Sequence, residues 1–470
     1  MAWLLGGFFC VLRFVALDQS PPAFFSDEFR AALHHICLAE LGISGYGEPW
    51  PTFVPGAGGG LYTPPFLYIG ALWVKIFGPT IVSCRALAAT FTLLSTLGTV
   101  CVAHRTAGPR VAAWAFLAAS LSPWAFQFAR IAWDPPMAPA FLIWAVFFWL
   151  GRGQRAQLVA SAVLFGLALH SYPPTRIQAP LVFALLGGWA LYRRTLTIGQ
   201  VLTFGIVGGL VAFPVIRGTL DGSLNLRGNG EAIFNAAFVD KSKGFYSRWS
   251  FIAQAGLDNL QAHFRPTYLF LVGDRNYRHS TQYFGVFGLL DDLALAAIAW
   301  FLLKRVFAGA TEASRSVGST LSSAREWRLA GFAAAGFMVG VLPAALCWSG
   351  VPHALRSIGA YPFLALGTGL VLNAASRSFK HFEKLAVAVA LLHAVVFARV
   401  YFVEYPALPN VRNWFDGQVN DTMLSPTFDP AKRRAFIRAN PEGFRYYSIA
   451  YRGETCASSD VLFKRYTGTP

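Results

Sequence analysis

The sequence predicts an all-α polytopic membrane protein, and three observations point there. Only 13% of the 470 residues are charged and 55% are hydrophobic, where an ordinary soluble domain is about 25% charged. The apolar residues gather into runs close to the roughly 20 residues that a bilayer-crossing helix needs. Many of the links between those runs are basic. A net charge of +16 on such a chain is not a nucleic-acid footprint, because no segment carries a dense basic patch. The same composition excludes a soluble enzyme, a disordered chain and a secreted disulfide scaffold.

The first run, Met1 to Leu17, carries one charged side chain, Arg13. It has neither a basic start nor a small-residue cleavage site, so it reads as a retained span. Further spans are expected near 80–103, 110–129, 135–150, 156–171, 177–192, 197–216, 283–303, 329–348, 355–375 and 385–403, about eleven in all. Several are short, which implies tilt or local thinning of the bilayer. The links His104–Arg110, Gly151–Arg155, Tyr192–Thr195, Lys304–Arg328 and Ser376–Lys384 are basic and include Arg152 and Arg315. The positive-inside rule places them in the cytoplasm. Parity then puts the long segment 217–282 and the tail 404–470 outside. The expectation is a multi-pass protein of the cytoplasmic membrane whose active site faces the periplasm or exterior.

Loop 18–79 follows the first span. Its stretch Pro64–Gly78 is apolar but short, opens with a proline pair and contains Lys75. That pattern suits a helix lying on the membrane surface, which keeps the whole loop outside. Glu28–Leu41 reads as a second amphipathic helix, with Phe29, Leu33, Ile36 and Cys37 at helical spacing. Gly45–Gly60 is a Gly/Pro-rich loop. In the tail, Pro430–Ala439 suggests a helix, while Arg445–Tyr451 and Val461–Tyr466 suggest short strands, a small mixed region. Cys10, Cys84, Cys101 and Cys347 lie in apolar runs as small core residues. Cys37 and Cys456 lie in more polar stretches, where a disulfide between them can form. The glycines at 56–60 lack the P-loop lysine and its strand–helix context. No internal repeat is visible.

Ionisable groups at the mouth of a membrane bundle are costly and therefore functional candidates. Five clusters qualify, each with a plainer reading beside it. Ser26-Asp27-Glu28 offers a general base, or simply an N-cap with acids in the first turn. Arg130 to Pro136 holds Asp134, which with Pro135 also fits an N-cap and N1 pair. His170, Tyr172 and Arg176 share a short turn, where such residues also act as interfacial anchors. Asp274, Arg275, Arg278 and His279 crowd one loop, able to grip a phosphate or to pair among themselves. His353 and Arg356 follow Pro352 on one helical face, suited to a phosphate or to snorkelling.

Together these pieces resemble the GT-C superfamily of lipid-carrier-dependent glycosyltransferases, and within it the branch of protein O-mannosyltransferases and bacterial aminoarabinose transferases. The likeness spans about residues 1–403. It rests on Asp27-Glu28 after the first span and on Tyr62-Thr63-Pro64-Pro65-Phe66-Leu67-Tyr68 running to Phe77-Gly78. Arg85 opens the next span, Ala129-Arg130 leads to Asp134, and Pro352-His353-Ala354-Leu355-Arg356 comes late. The resemblance implies a GT-C-type catalytic domain over 1–403, with 404–470 as an appended extracytoplasmic region. It implies Asp27 as base or acceptor-orienting acid, with Glu28 beside it and Asp134 as second acid. The donor side is expected to draw on Tyr62, Arg85, Arg130, His170, Tyr172, Arg176, Asp274, Arg275, Arg278, His279, His353 and Arg356.

The implied donor is a polyprenyl-phosphate-linked sugar. The implied acceptor is a lipid, glycan or protein, reached in a single inverting displacement, with membrane lipids as surroundings and no nucleic acid partner. Aminoarabinose-type relatives carry Glu-Lys-Pro where this chain has Tyr62-Thr63-Pro64. The absent lysine leaves Arg85 or Arg278 to do more. No cofactor is certain. Some superfamily members use a divalent metal, to which Asp27 and Asp134 could contribute, though their spacing does not demand one. Two other classes compete. An O-antigen polymerase or ligase type would use Arg and His of 217–282 but leaves Asp27-Glu28 idle. A secondary transporter or lipid flippase would show repeated halves and midplane charges, which the chain lacks.

Overall fold

The computed structural model describes residues 1–56, 59–151, 154–224, 230–242, 247–307 and 323–468. Arg152 and Arg315 of the basic links, and Ala57 and Gly58 of the glycine-rich loop, lie outside them. Every expected span overlaps a helix. Five of these helices are long and apolar enough to cross a membrane: Ile81–Ala107, Ile198–Leu220, Ala324–Ala345, Ile358–Ser378 and Phe382–Ala407. The pair Pro109–Leu121 and Pro123–Ala129 makes a sixth if counted as one broken span. By length and composition the described helices therefore number fewer than eleven spans. Ala2–Leu12, Met137–Trp149 and Arg155–Ser171 are shorter apolar helices.

Local chemistry sets the helix ends. The Thr80 hydroxyl accepts from Ser83 N at 3.2 Å and starts the long helix at Ile81. Gly108 ends it at φ 93°, a backbone region that L side chains rarely enter. The span expected at 110–129 is bent by 56° at Ser122. Pro123 has no N–H to continue the ladder, and the Ser122 hydroxyl caps Ala125 N at 3.2 Å, so a new helix begins there. Both stretches expected to be helical in the first loop form helices, as Ser26–Leu41 and Pro64–Phe77. They interlock closely, because a Cβ on Gly70 would meet the His35 ring at 2.4 Å.

The tail departs from the sequence reading. Arg445–Tyr451 and Val461–Tyr466 are not strands but parts of helices Pro441–Arg452 and Cys456–Thr467. The capping residues favour helix. Pro441 occupies the first turn, Gly453 closes at φ 76°, the Thr455 hydroxyl accepts from Ser458 N at 3.1 Å, and Gly468 closes at φ 66°. Among the described residues the one sheet pairs Val54–Pro55 with Leu61–Tyr62, with Val54 opposite Tyr62.

The tail is bound to the first loop. Phe24, Phe29, Leu33 and Ile36 share one buried cluster with Met423, Ile437, Phe444, Tyr446 and Tyr447. Cys37 and Cys456 form a disulfide with Cα atoms 5.3 Å apart. Asn420 brackets the backbone of Phe24, accepting from its N–H at 3.1 Å and donating to its carbonyl at 2.9 Å.

Candidate functional site

The site is built on a buried ion pair. Glu28 lies in the first turn of helix Ser26–Leu41, whose N-cap is Phe25 rather than Ser26. Its Oε1 accepts from Arg85 Nε at 2.8 Å and from Ala132 N at 2.7 Å; its Oε2 accepts from Arg85 Nη2 at 2.8 Å and from Phe25 N at 3.2 Å. Arg85 spends its other protons on the carbonyls of Leu17 at 2.7 Å, Pro21 at 2.8 Å and Ala23. Both side chains are fully buried. This corrects two expectations: Glu28 is not a free base, and Arg85 has no proton left for a donor phosphate. The pair instead joins the first loop, helix Ile81–Ala107 and the turn that carries Asp134.

Arg130 is corrected in the same way. Fully buried, it donates to the carbonyls of Leu12 at 3.0 Å, Arg13 at 3.1 Å, Ala16 at 2.9 Å and Ser20 at 2.7 Å. It thus satisfies carbonyls that the end of the first helix leaves open. Phe126, Tyr401 and Phe402 cover its guanidinium.

Asp27 and Asp134 remain partly exposed. Asp134 is not an N-cap, since its helix starts at Met137 after Pro136. The short hairpin carries Tyr62 over the first turn, and the Tyr62 hydroxyl donates to the Asp27 carbonyl at 3.0 Å. Burial pushes the Tyr62 phenol well above its ordinary pKa, and the charges of both Asp27 and Asp134 add to that. Both acids therefore lie within electrostatic reach of one phenol. Cations stand close. Arg176 feels the charge of Asp134. Arg278 sits over the Phe25 ring at 4.4 Å and donates through Nε to Trp414 O at 2.6 Å. Burial lowers its pKa while Asp416, Asp27 and Glu28 oppose that. Arg30, one turn after Asp27, pairs with Glu442 of the tail at 3.3 Å.

His170 stands apart, buried at the end of helix Arg155–Ser171, with Nε2 on Val211 O at 2.9 Å and its ring 6.4 Å from Phe53. Tyr172 follows it, partly exposed, at that helix's end.

A second cluster lies across an aromatic shelf. Phe25 contacts Trp133 at 6.1 Å, and Trp133 lies 6.0 Å from the His279 ring. Asp274 Oδ2 accepts from His279 Nδ1 at 2.7 Å and from Ala354 N at 2.9 Å, while Oδ1 accepts from Asn276 N at 2.9 Å. Burial alone would neutralise this acid. His279, His353 and the Asn276 N–H outweigh it and hold the carboxyl down at about 2. Burial pushes His353 well below its ordinary value, helped by His279 and Arg356. The ligand atoms of Asp274, His279 and His353 lie within 4.8 Å of one another, among the described residues the one such group able to hold a metal ion. It includes neither Asp27 nor Asp134. Arg356 pairs with Glu231 and donates to Ser349 O at 2.7 Å, and Arg275 is exposed.

Sequence reasoning missed Arg30, Glu442, Trp414, Asp416 and His263. Only Arg30 left a local signal, its helical spacing from Asp27; the others arrive from distant segments.

Known proteins bear out the GT-C resemblance. Residues 62–217 match the family model described as dolichyl-phosphate-mannose-protein mannosyltransferase. A search of curated proteins returns no match. Among solved structures, ArnT from Cupriavidus metallidurans bound to undecaprenyl phosphate is similar with a TM-score of 0.51 at 14% identity, over 98% of this chain and 88% of that one. The oligosaccharyltransferase AglB from Archaeoglobus fulgidus, in complex with an inhibitory peptide and a dolichol-phosphate, aligns with a TM-score of 0.48 at 16% identity, over 96% of this chain and 60% of that one. The overall fold is of the ArnT type: a multi-pass, predominantly helical membrane protein.

Proposed function

We propose that this GT-C-type chain is a membrane glycosyltransferase that moves a sugar from a polyprenyl-phosphate donor to an extracytoplasmic acceptor. The observation that carries the reading is the Tyr62 hydroxyl donating to the Asp27 carbonyl at 3.0 Å, with Asp134 and Arg278 within electrostatic reach and Arg176 within reach of Asp134. Attack on an anomeric carbon needs a base at the acceptor and positive charge where the phosphate departs. Asp27 is the base. Arg278, held over Phe25 at 4.4 Å, neutralises the leaving phosphate, with Arg176 as the second cation. Asp134 orients the acceptor or sugar. The Glu28–Arg85 pair holds these groups in register without touching substrate.

The site faces the exterior. The Cys37–Cys456 disulfide ties the first loop to the tail, so both lie on one side, and such bonds persist in oxidising compartments. A polymerase or ligase reading would leave Asp27 idle. The test is transfer from polyprenyl-phosphate sugars extracted from the host membrane, followed as carrier phosphate released. Asp27→Asn is expected to cut the rate by about 10²–10⁴-fold at unchanged protein level. Full transfer by that variant would overturn the assignment.

A further inference from the structure

We propose that Asp274, His279 and His353 form a binding site for a zinc-class divalent cation, separate from Asp27 and Asp134. One carboxylate and two imidazoles make a ligand set that suits zinc, and three protein ligands leave a fourth position for water or a substrate oxygen. Their ligand atoms already lie within 4.8 Å of one another. The hydrogen bonds prepare both rings. His279 Nδ1 lies 2.7 Å and His353 Nδ1 3.7 Å from Asp274 Oδ2, so both rings turn the same nitrogen towards the one carboxylate. A cation entering between them would take the place of the proton that His279 Nδ1 shares with Asp274. The Arg356 N–H reaches His353 Nδ1 at 3.3 Å, a long hydrogen bond that shows this nitrogen carrying its lone pair and that a cation can replace.

The surroundings hold this set in place. Ala354 N and Asn276 N both donate to Asp274, at 2.9 Å each. His263 is spent on support: its Nε2 accepts from His353 N at 3.1 Å and its Nδ1 donates to Asn259 O at 2.8 Å. Trp133 and Phe128 cover the His279 ring at 6.0 and 5.8 Å. The cation would clamp the loop ending at Ser280 to the turn before Ile358. Arg278 is the neighbour of His279, so the clamp would also steady the cation placed beside Asp27. That last consequence rests on the proposed transfer reaction; the site itself does not.

The experiment uses the full chain in detergent, without a polyhistidine tag, stripped with chelator and then titrated with zinc and with cobalt. Elemental analysis of the desalted protein is expected to find about one equivalent of zinc. The double variant Asp274→Asn with His353→Gln should retain less than a tenth of that while keeping the Cys37–Cys456 bond and a single gel-filtration peak. Should it fail to fold, the visible spectrum of cobalt-loaded wild type decides: d–d bands of a low-symmetry nitrogen and oxygen site support the proposal. A spectrum of hydrated cobalt, or equal zinc retention in wild type and variant, overturns it. These readouts do not involve sugar transfer, so an inactive enzyme that binds zinc refutes only the functional reading.

Discussion

Asp27 and Glu28 are neighbours in sequence with opposite fates. Glu28 is buried against four donors, while Asp27 faces the cluster around Tyr62. Their substitutions should therefore separate. Glu28→Gln leaves Arg85 charged and uncompensated in a dry site, a loss of about 3–5 kcal/mol. We expect the variant to give little folded protein and a clearly lower Tm in detergent, whereas Asp27→Asn keeps the wild-type Tm and loses transfer. A Glu28→Gln protein of wild-type Tm would show that the pair is not structural.

His34 and His35 make a second prediction at this scale. Burial is the main cause that lowers both to about 3; His35, Arg30 and Arg445 add to it for His34. A depressed imidazole stays neutral in the folded chain, while the unfolded chain takes up a proton below about 6.5. Stability is thus full above that pH and falls as pH drops towards 3, by about 2 kcal/mol per imidazole at pH 5. Tm measured from pH 7.5 to 5 should fall, and His34→Gln should flatten the slope. A flat wild-type profile would sink the argument.

Whole elements depend on contacts that no single helix announces. Helix Ser26–Leu41 was legible from its apolar spacing, and Pro64–Phe77 from its proline start and length. The break at Ser122 follows from a serine–proline step inside an apolar run, where total hydropathy hides a local lack of N–H. The tail helices are bounded by Pro441, Gly453 and Gly468, and a strand reading of the stretches between passes over those starts and stops. The disulfide is the element-scale lever. Cys456→Ser should release helix Cys456–Thr467 from helix Ser26–Leu41 and lower stability by about 2–4 kcal/mol. Protease cleavage in the tail measures this, and unchanged resistance after reduction would refute it. Transfer should fall as well, since Glu442 and Trp414 of this region hold Arg30 and Arg278.

For the molecule as a whole, the expected topology puts loop 18–79, segment 217–282 and the tail on the outer side. A periplasm-active reporter fused near Tyr46 should be active, and one in the link Ser376–Lys384 inactive. The reverse pattern would remove Asp27 from the exterior and with it the proposed reaction. The basic links and the outer cations share one net charge of +16 but differ in task. Arg193 and Arg194 lie in an inter-helix link, while Arg278 and Arg176 stand beside acids.

The sequence by itself determined the membrane class, the approximate place of every apolar helix and the two helices of the first loop. Hydropathy and capping act over a few neighbouring residues, so these features can be read without knowing the fold. Only the tertiary structure decided which charged residues are buried supports and which are open. Glu28, Arg85 and Arg130 look like Asp27 and Arg278 in sequence. What separates them is which distant backbone groups converge on them: the Ala132 amide donates to Glu28, while the carbonyls of Leu17 and Pro21 accept from Arg85 and that of Ser20 from Arg130. A charge can be buried only where such partners converge, and that convergence belongs to the folded chain.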